Sequence, residues 1–132
     1  MNQFQPLALL AARILLAWMF LYSGFGKITN SAGAMKYMAS KGMPFIEPLL
    51  WGAIVIEVIG GLMLVVGWKT RLAAWAILGF VFLTSVIFHN FWAVPAEQAY
   101  LQAIMFNKNL AIMGGLLYVA FMGPGRLSVD KA

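Results

Sequence analysis

Four stretches of the chain are apolar over about the 20 residues that a helix needs to cross a hydrocarbon layer roughly 30 Å thick. Leu7 to Phe25 is interrupted by one charge, Arg13, Leu49 to Trp68 by one, Glu57, and Leu72 to Phe88 by none. The fourth, Leu110 to Met122, is too short alone. It reaches spanning length when run back to Ala99 or Tyr100, which puts Asn107, Lys108 and Asn109 inside the helix. The pattern therefore predicts membrane helices over about 6–26, 48–67, 71–90 and 98–122. Breakers mark the connections: Gly42, Pro44 and Pro48 in the long first loop, Gly67 to Arg71 as a tight turn, Pro95, and Gly123-Pro124-Gly125 after the last helix. Within the first loop, Ala34 to Lys41 predicts a short helix lying on the membrane surface. Trp51, Trp68, Trp75, Trp92 and Tyr100 fall near the predicted helix ends, where indole and phenol rings favour the headgroup layer.

Composition agrees with an all-α, integral membrane four-helix bundle forming one domain over 1–132. Of the 132 residues 63% are apolar and 10% charged, well below the roughly 25% charged of a soluble domain. Mean hydropathy is +0.86. The first segment has no Lys or Arg ahead of its apolar run, so it is expected to be a retained helix rather than a signal peptide. Nine Lys and Arg against four Asp and Glu give +5, but no basic run suggests nucleic acid. The chain has no Cys and one His, which removes disulfides, thiolate chemistry and iron-sulfur ligation, and no metal site is expected. Redox chemistry would need a bound organic cofactor or a partner.

Four spans put the chain ends on one side, with Lys69, Arg71, Arg126 and Lys131, against Lys27, Lys36 and Lys41 on the other. The compact Lys69 to Arg71 turn, and the lack of Lys or Arg between His89 and Leu101, favour both termini in the cytoplasm.

Charges inside membrane helices cost about 2.5–3.5 kcal/mol each on insertion scales, so they turn inward and pair. At 1.5 Å per residue, Arg13 lies about 10 Å from the cytoplasmic edge, Glu57 about 15 Å and Lys108 about 20 Å. Glu57 is expected to pair with Arg13, with Lys108 as second candidate. Gly60-Gly61 beside Glu57, and Gly114-Gly115 on the helix of Lys108, offer surfaces for close helix approach and for a homo-oligomer. Lys27, His89, Asn90, Lys108 and Asn109 are expected to line a polar cavity towards the outer half. His89 has the side chain suited to proton exchange near neutral pH, though a lone His at a helix end also serves as a hydrated interfacial residue.

Arg13, Ser23-Gly24-Phe25-Gly26-Lys27, Glu57 before Gly60-Gly61, Arg71, His89, Lys108-Asn109 before Gly114-Gly115, and Gly123-Pro124-Gly125 with Ser128 and Asp130 form an ordered set. Over nearly the whole chain this set resembles the DoxX family of small four-helix bacterial inner-membrane proteins, in its short, YqjF-like branch. The family takes its name from a thiosulfate:quinone oxidoreductase subunit, and other members are associated with quinone or catechol metabolism and oxidative-stress defence. The resemblance implies a quinone or related aromatic as ligand and a soluble or membrane redox partner, with no redox centre intrinsic to the chain. On that reading Lys108 and Asn109 donate to a carbonyl oxygen, Glu57 or His89 handles the proton, and Arg13, Lys27 and Asn90 complete the substrate site. Two other readings stay open. One is a non-enzymatic scaffold held together by its polar cluster, the other a small-solute or proton pathway through an oligomer.

Overall fold

The computed structural model describes residues 2–131. Five α-helices make it up: α1 (Gln5–Thr29), α2 (Ser31–Ser40), α3 (Ile46–Val66), α4 (Thr70–Phe88) and α5 (Ala96–Met122), with a 3-10 turn at Phe91–Ala93. Helices α1, α3, α4 and α5 are long and apolar enough to cross a membrane, so the protein is an all-helical, four-span membrane bundle. The bundle has two ends. The base carries the start of α1, the α3–α4 turn and the finish of α5. The crown carries α2 and the Phe91–Ala93 turn.

Local chemistry sets the boundaries. Pro6 starts α1, where its missing N–H costs nothing. Asn30 ends α1 with its N–H on Gly26 O (3.0 Å) and caps α2 by accepting from Gly33 N (3.2 Å), so α2 begins at Ser31 rather than at Ala34. Gly67 closes α3 in the left-handed region (φ 72°), its N–H on Met63 O at 2.8 Å. A Cβ there would collide with Ser128 and with the Arg13 guanidinium, so the turn needs glycine for space as well as for conformation.

Buried positions recur at helical spacing on each span: Arg13, Ala17, Phe20 and Gly24 on α1, Leu50, Ile54, Glu57, Gly61 and Leu64 on α3, Ala73, Ile77, Val81 and Ser85 on α4. Ala17, Phe20, Leu64, Ile77 and Leu116 anchor the main core. A second cluster of Met38, Leu50 and Ile54 seats α2 on the crown, where Tyr37 stacks on Phe88 at 5.2 Å between ring centroids. Consecutive spans pack closely, α1 on α3, α3 on α4 and α4 on α5, but α1 and α5 meet sparsely. The ring of helices is thus left open along one seam.

The tightest seam is α1–α3. A Cβ built on Gly24 would lie 2.6 Å from Val58 Cγ2 and 3.2 Å from Glu57 Cβ, whereas one on Gly26 meets nothing within 4 Å. Gly24→Leu is expected to push the helices apart and remove about 1–3 kcal/mol of stability, the usual cost of overpacking. Gly26→Ala is expected to be neutral or slightly stabilising, because alanine is the better helix former. Heat-induced unfolding of both variants in mild detergent checks the contrast.

Candidate functional site

The polar residues inside the bundle form three groups at different heights. At the base, Arg13 is 1% exposed. Its Nη1 donates to Leu64 O (2.9 Å) and Val65 O (3.1 Å), carbonyls of the last turn of α3 that have no partner within their own helix, and Nη2 donates to Leu127 O in the C-terminal tail. The negative end of the α3 dipole therefore receives the charge. Arg13 does not pair with Glu57 as the sequence suggests. A guanidinium beside a helix C-terminus finds several carbonyls within reach, while the carboxylate lies two turns further along α3. Arg71 does the same for α5, donating to Ala120 O and Phe121 O.

The tail is held by main chain and side chain together. Val129 N bonds Val66 O (3.0 Å) and Asp130 N bonds Gly67 O (2.8 Å). The Asp130 carboxylate accepts from Lys69 N (2.9 Å), Thr70 N (2.8 Å) and the Thr70 hydroxyl (2.7 Å), capping α4. Hydrogen bonds from the Thr70 backbone and hydroxyl, helped by that from Lys69 and the Arg13 charge, hold the Asp130 carboxyl below its ordinary value of 3.8 against the opposing effect of burial.

At mid-height Glu57, 3% exposed, faces Lys27 with Nζ 2.7 Å from Oε1. The approach is oblique: Oε1 has no aligned donor, while the ammonium makes its directed hydrogen bond to Ser23 Oγ at 2.8 Å. Gly24 lets α1 come close enough for this ion pair. Lys108 is not a partner of Glu57, because it is exposed on the outer face of α5, across the bundle from the α1–α3 seam. Its height is as expected but its face is not.

Near the crown, Asn109 Nδ2 donates to Ser85 Oγ (2.9 Å), which donates to Val81 O (2.6 Å). His89 Nδ1 lies 2.8 Å from Gln102 Oε1, within hydrogen-bond distance. Asn90 Oδ1 is buried without a partner. Lys27, His89, Asn90, Lys108 and Asn109 do not converge on one outward cavity. Lys27 turns to α3, Asn109 to α4 and Lys108 outward, while His89 and Asn90 stay at the crown.

A cavity lies elsewhere, in the open seam between α1 and α5 towards the base. It measures about 630 Å³, and its apolar walls include Leu9, Ala12, Leu16, Gly115 and Val119. Arg13 lies in its wall and Arg126 at its edge. Arg13 Nε is buried without an acceptor, the one unsatisfied donor among the described buried side chains. Sequence reasoning missed this cleft, since it depends on which neighbouring helices fail to touch. Only the small residues Ala12 and Gly115 at matching depths hint at it.

The family model described as DoxX matches residues 8–90. The chain belongs to the DoxX family. It is 39% identical over 132 residues to Inner membrane protein YqjF of Escherichia coli (strain K12), covering 99% of this chain and 95% of that protein. To Inner membrane protein YphA of the same organism it is 35% identical over 129 residues, covering 96% and 91%. A Surfeit locus protein 4 homolog of Schizosaccharomyces pombe is 29% identical over 127 residues, which is 92% of this chain but 36% of that protein. No solved structure matches. With four spans and two full-length relatives of this kind, this DoxX-family chain is a multi-pass inner-membrane protein.

Two outcomes follow for the base. Arg13→Met leaves three carbonyls unpaired and is expected to cost about 3 kcal/mol or more, with Arg13→Lys intermediate because an ammonium cannot fork between them. Thermal unfolding in detergent measures both. The carboxyl of Asp130 is more acidic folded than unfolded, so its contribution is complete above its ordinary value and is lost as pH falls through the depressed one. Unfolding profiles between pH 7 and pH 3 are expected to show an acid-side loss in wild type that is smaller in Asp130→Ala.

Proposed function

We propose that this protein binds a lipid-soluble quinone or a related aromatic in the α1–α5 cleft and works as the membrane subunit of an oxidoreductase system whose redox centre sits on a partner protein. One observation carries the reading: Arg13 lines an apolar cleft open to the side, and its buried Nε is an unsatisfied N–H donor. A cavity of 630 Å³ falls within the roughly 300–1,000 Å³ of small-molecule sites, which combine apolar walls with few polar groups. A quinone carbonyl is an acceptor that suits Arg13 Nε, and its chain suits Leu9, Leu16 and Val119. A bound quinone would supply two-electron acceptor chemistry. The protein would supply lateral entry from the bilayer, exclusion of water, and an oriented donor whose other N–H groups are already fixed on α3 and the tail.

This places the quinone-binding role on Arg13 and away from Lys108 and Asn109. The basic residues of the base, Lys69, Arg71, Arg126 and Lys131, favour the cytoplasmic side for it, so the cleft faces the inner leaflet. A soluble cytoplasmic donor would then meet the mouth of the cleft directly. The self-contained Lys27–Glu57 pair favours a second, scaffold reading, in which buried ions only fix helix register.

The two readings separate on one variant. Ala12 is exposed in the cleft wall and its side chain makes no core contact, so Ala12→Trp should fill the cleft and leave the bundle intact. Titration of the detergent-solubilised protein with decylubiquinone, followed by tryptophan quenching and thermal shift, is expected to show saturable binding in wild type. Binding should weaken at least about tenfold in Ala12→Trp, at unchanged unfolding temperature without ligand. Absence of saturable binding in folded wild type would leave the scaffold reading.

A further inference from the structure

The cleft has a charge character that a neutral quinone leaves unused. Two cations line it: Arg13 in the wall and Arg126 at the edge. The chain has four carboxylates, and none lines the cleft. Glu47 begins α3 and Glu97 begins α5, both at the crown, and Glu57 faces Lys27. Asp130 lies near enough to temper the Arg13 charge, but its oxygens are committed to Lys69 and Thr70 and it stands outside the cleft wall. Main-chain carbonyls accept three hydrogen bonds from the Nη atoms, and Nε has no acceptor.

From this the geometry points to an ionised ligand: a hydroxylated quinone or similar acidic aromatic, bound as its oxygen anion against Arg13 Nε. The inference rests on the quinone reading and narrows its substrate class. In a medium of low dielectric constant an anion near a guanidinium gains far more than it would in water, and a charge-assisted hydrogen bond is shorter and stronger than a neutral one. A neutral carbonyl fills the same donor without cancelling the charge. Arg126, exposed at the cleft edge with no hydrogen bond to the other described residues, adds attraction where the anion enters. A ring that carries one ionised oxygen and an apolar remainder matches both features of the cleft. An anionic phospholipid headgroup presents the same charge, so the test must tell the two apart.

The experiment compares 2-hydroxy-1,4-naphthoquinone, a vinylogous acid that is ionised at pH 7.5, with its neutral 2-methoxy analogue. Both are titrated into wild-type protein and Arg126→Gln in dodecyl maltoside. The hydroxy compound is expected to bind about tenfold more tightly than the methoxy compound to wild type, with the ratio falling at least twofold in Arg126→Gln. Equal or tighter binding of the methoxy compound would overturn the anion inference and leave the quinone reading standing. Failure of both compounds to bind folded protein would overturn both. Phosphatidylglycerol that displaces the hydroxy compound and itself gives the same Arg126-dependent shift would assign the cleft to a lipid headgroup, which also overturns the inference. Arg126 is exposed and makes no hydrogen bond among the described residues, so its variant tests charge with little risk to the fold.

Discussion

A guanidinium buried two turns inside the start of α1 can exist only if something cancels its charge and takes its protons. Arg13 meets that demand with main-chain carbonyls from two parts of the chain, Leu64 and Val65 at the end of α3 and Leu127 in the tail. Those carbonyls have lost their helical or ladder partners and need a donor as much as Arg13 needs acceptors. The contact therefore fixes how far α1 slides along α3 and brings the tail over the α3–α4 turn. Gly67 makes room for it, and Asp130 completes the knot by capping α4. Loss of Arg13 strands the α3 carbonyls that it serves inside the bundle.

The same knot leaves α1 and α5 apart. Arg13 spends its Nη atoms on α3 and the tail, and the tail residues Gly123 to Arg126 turn away from α5 along one edge of the gap. Consecutive spans are drawn together by their connections and by close-approach residues such as Gly24, but no connection joins α1 to α5. Among the described residues, the one buried side-chain donor without a partner, Arg13 Nε, belongs to a residue that lines this gap.

The polar residues divide by how their surroundings were decided. Arg13 and Glu57 were legible as buried, because a charge in a membrane span must turn inward, and both do. Their pairing was not, since Arg13 found helix-end carbonyls nearer than any carboxylate, and Lys27, close to the end of α1, reached back along its own helix to Glu57. Lys108 was placed at the correct height by rise per residue. Its face depends on which side of α5 meets α4, and Asn109 to Ser85 and Gln102 to His89 define that side, turning Lys108 outward. Asp130 and Ser128 were visible only as parts of a family pattern, because a tail's hydrogen bonds have no periodicity to reveal them.

The sequence by itself determined the number of spans, their ends to within a few residues, the presence of a short helix in the first loop and the family. These follow from local quantities: the length of an apolar run, a capping Asn, a glycine at positive φ. Only the tertiary structure decided which charges meet, which helices pack sparsely, and that the unsatisfied donor belongs to Arg13. Those outcomes depend on the rotation of each helix about its axis and on distances between segments far apart in the chain, which small differences in packing settle and no local pattern records.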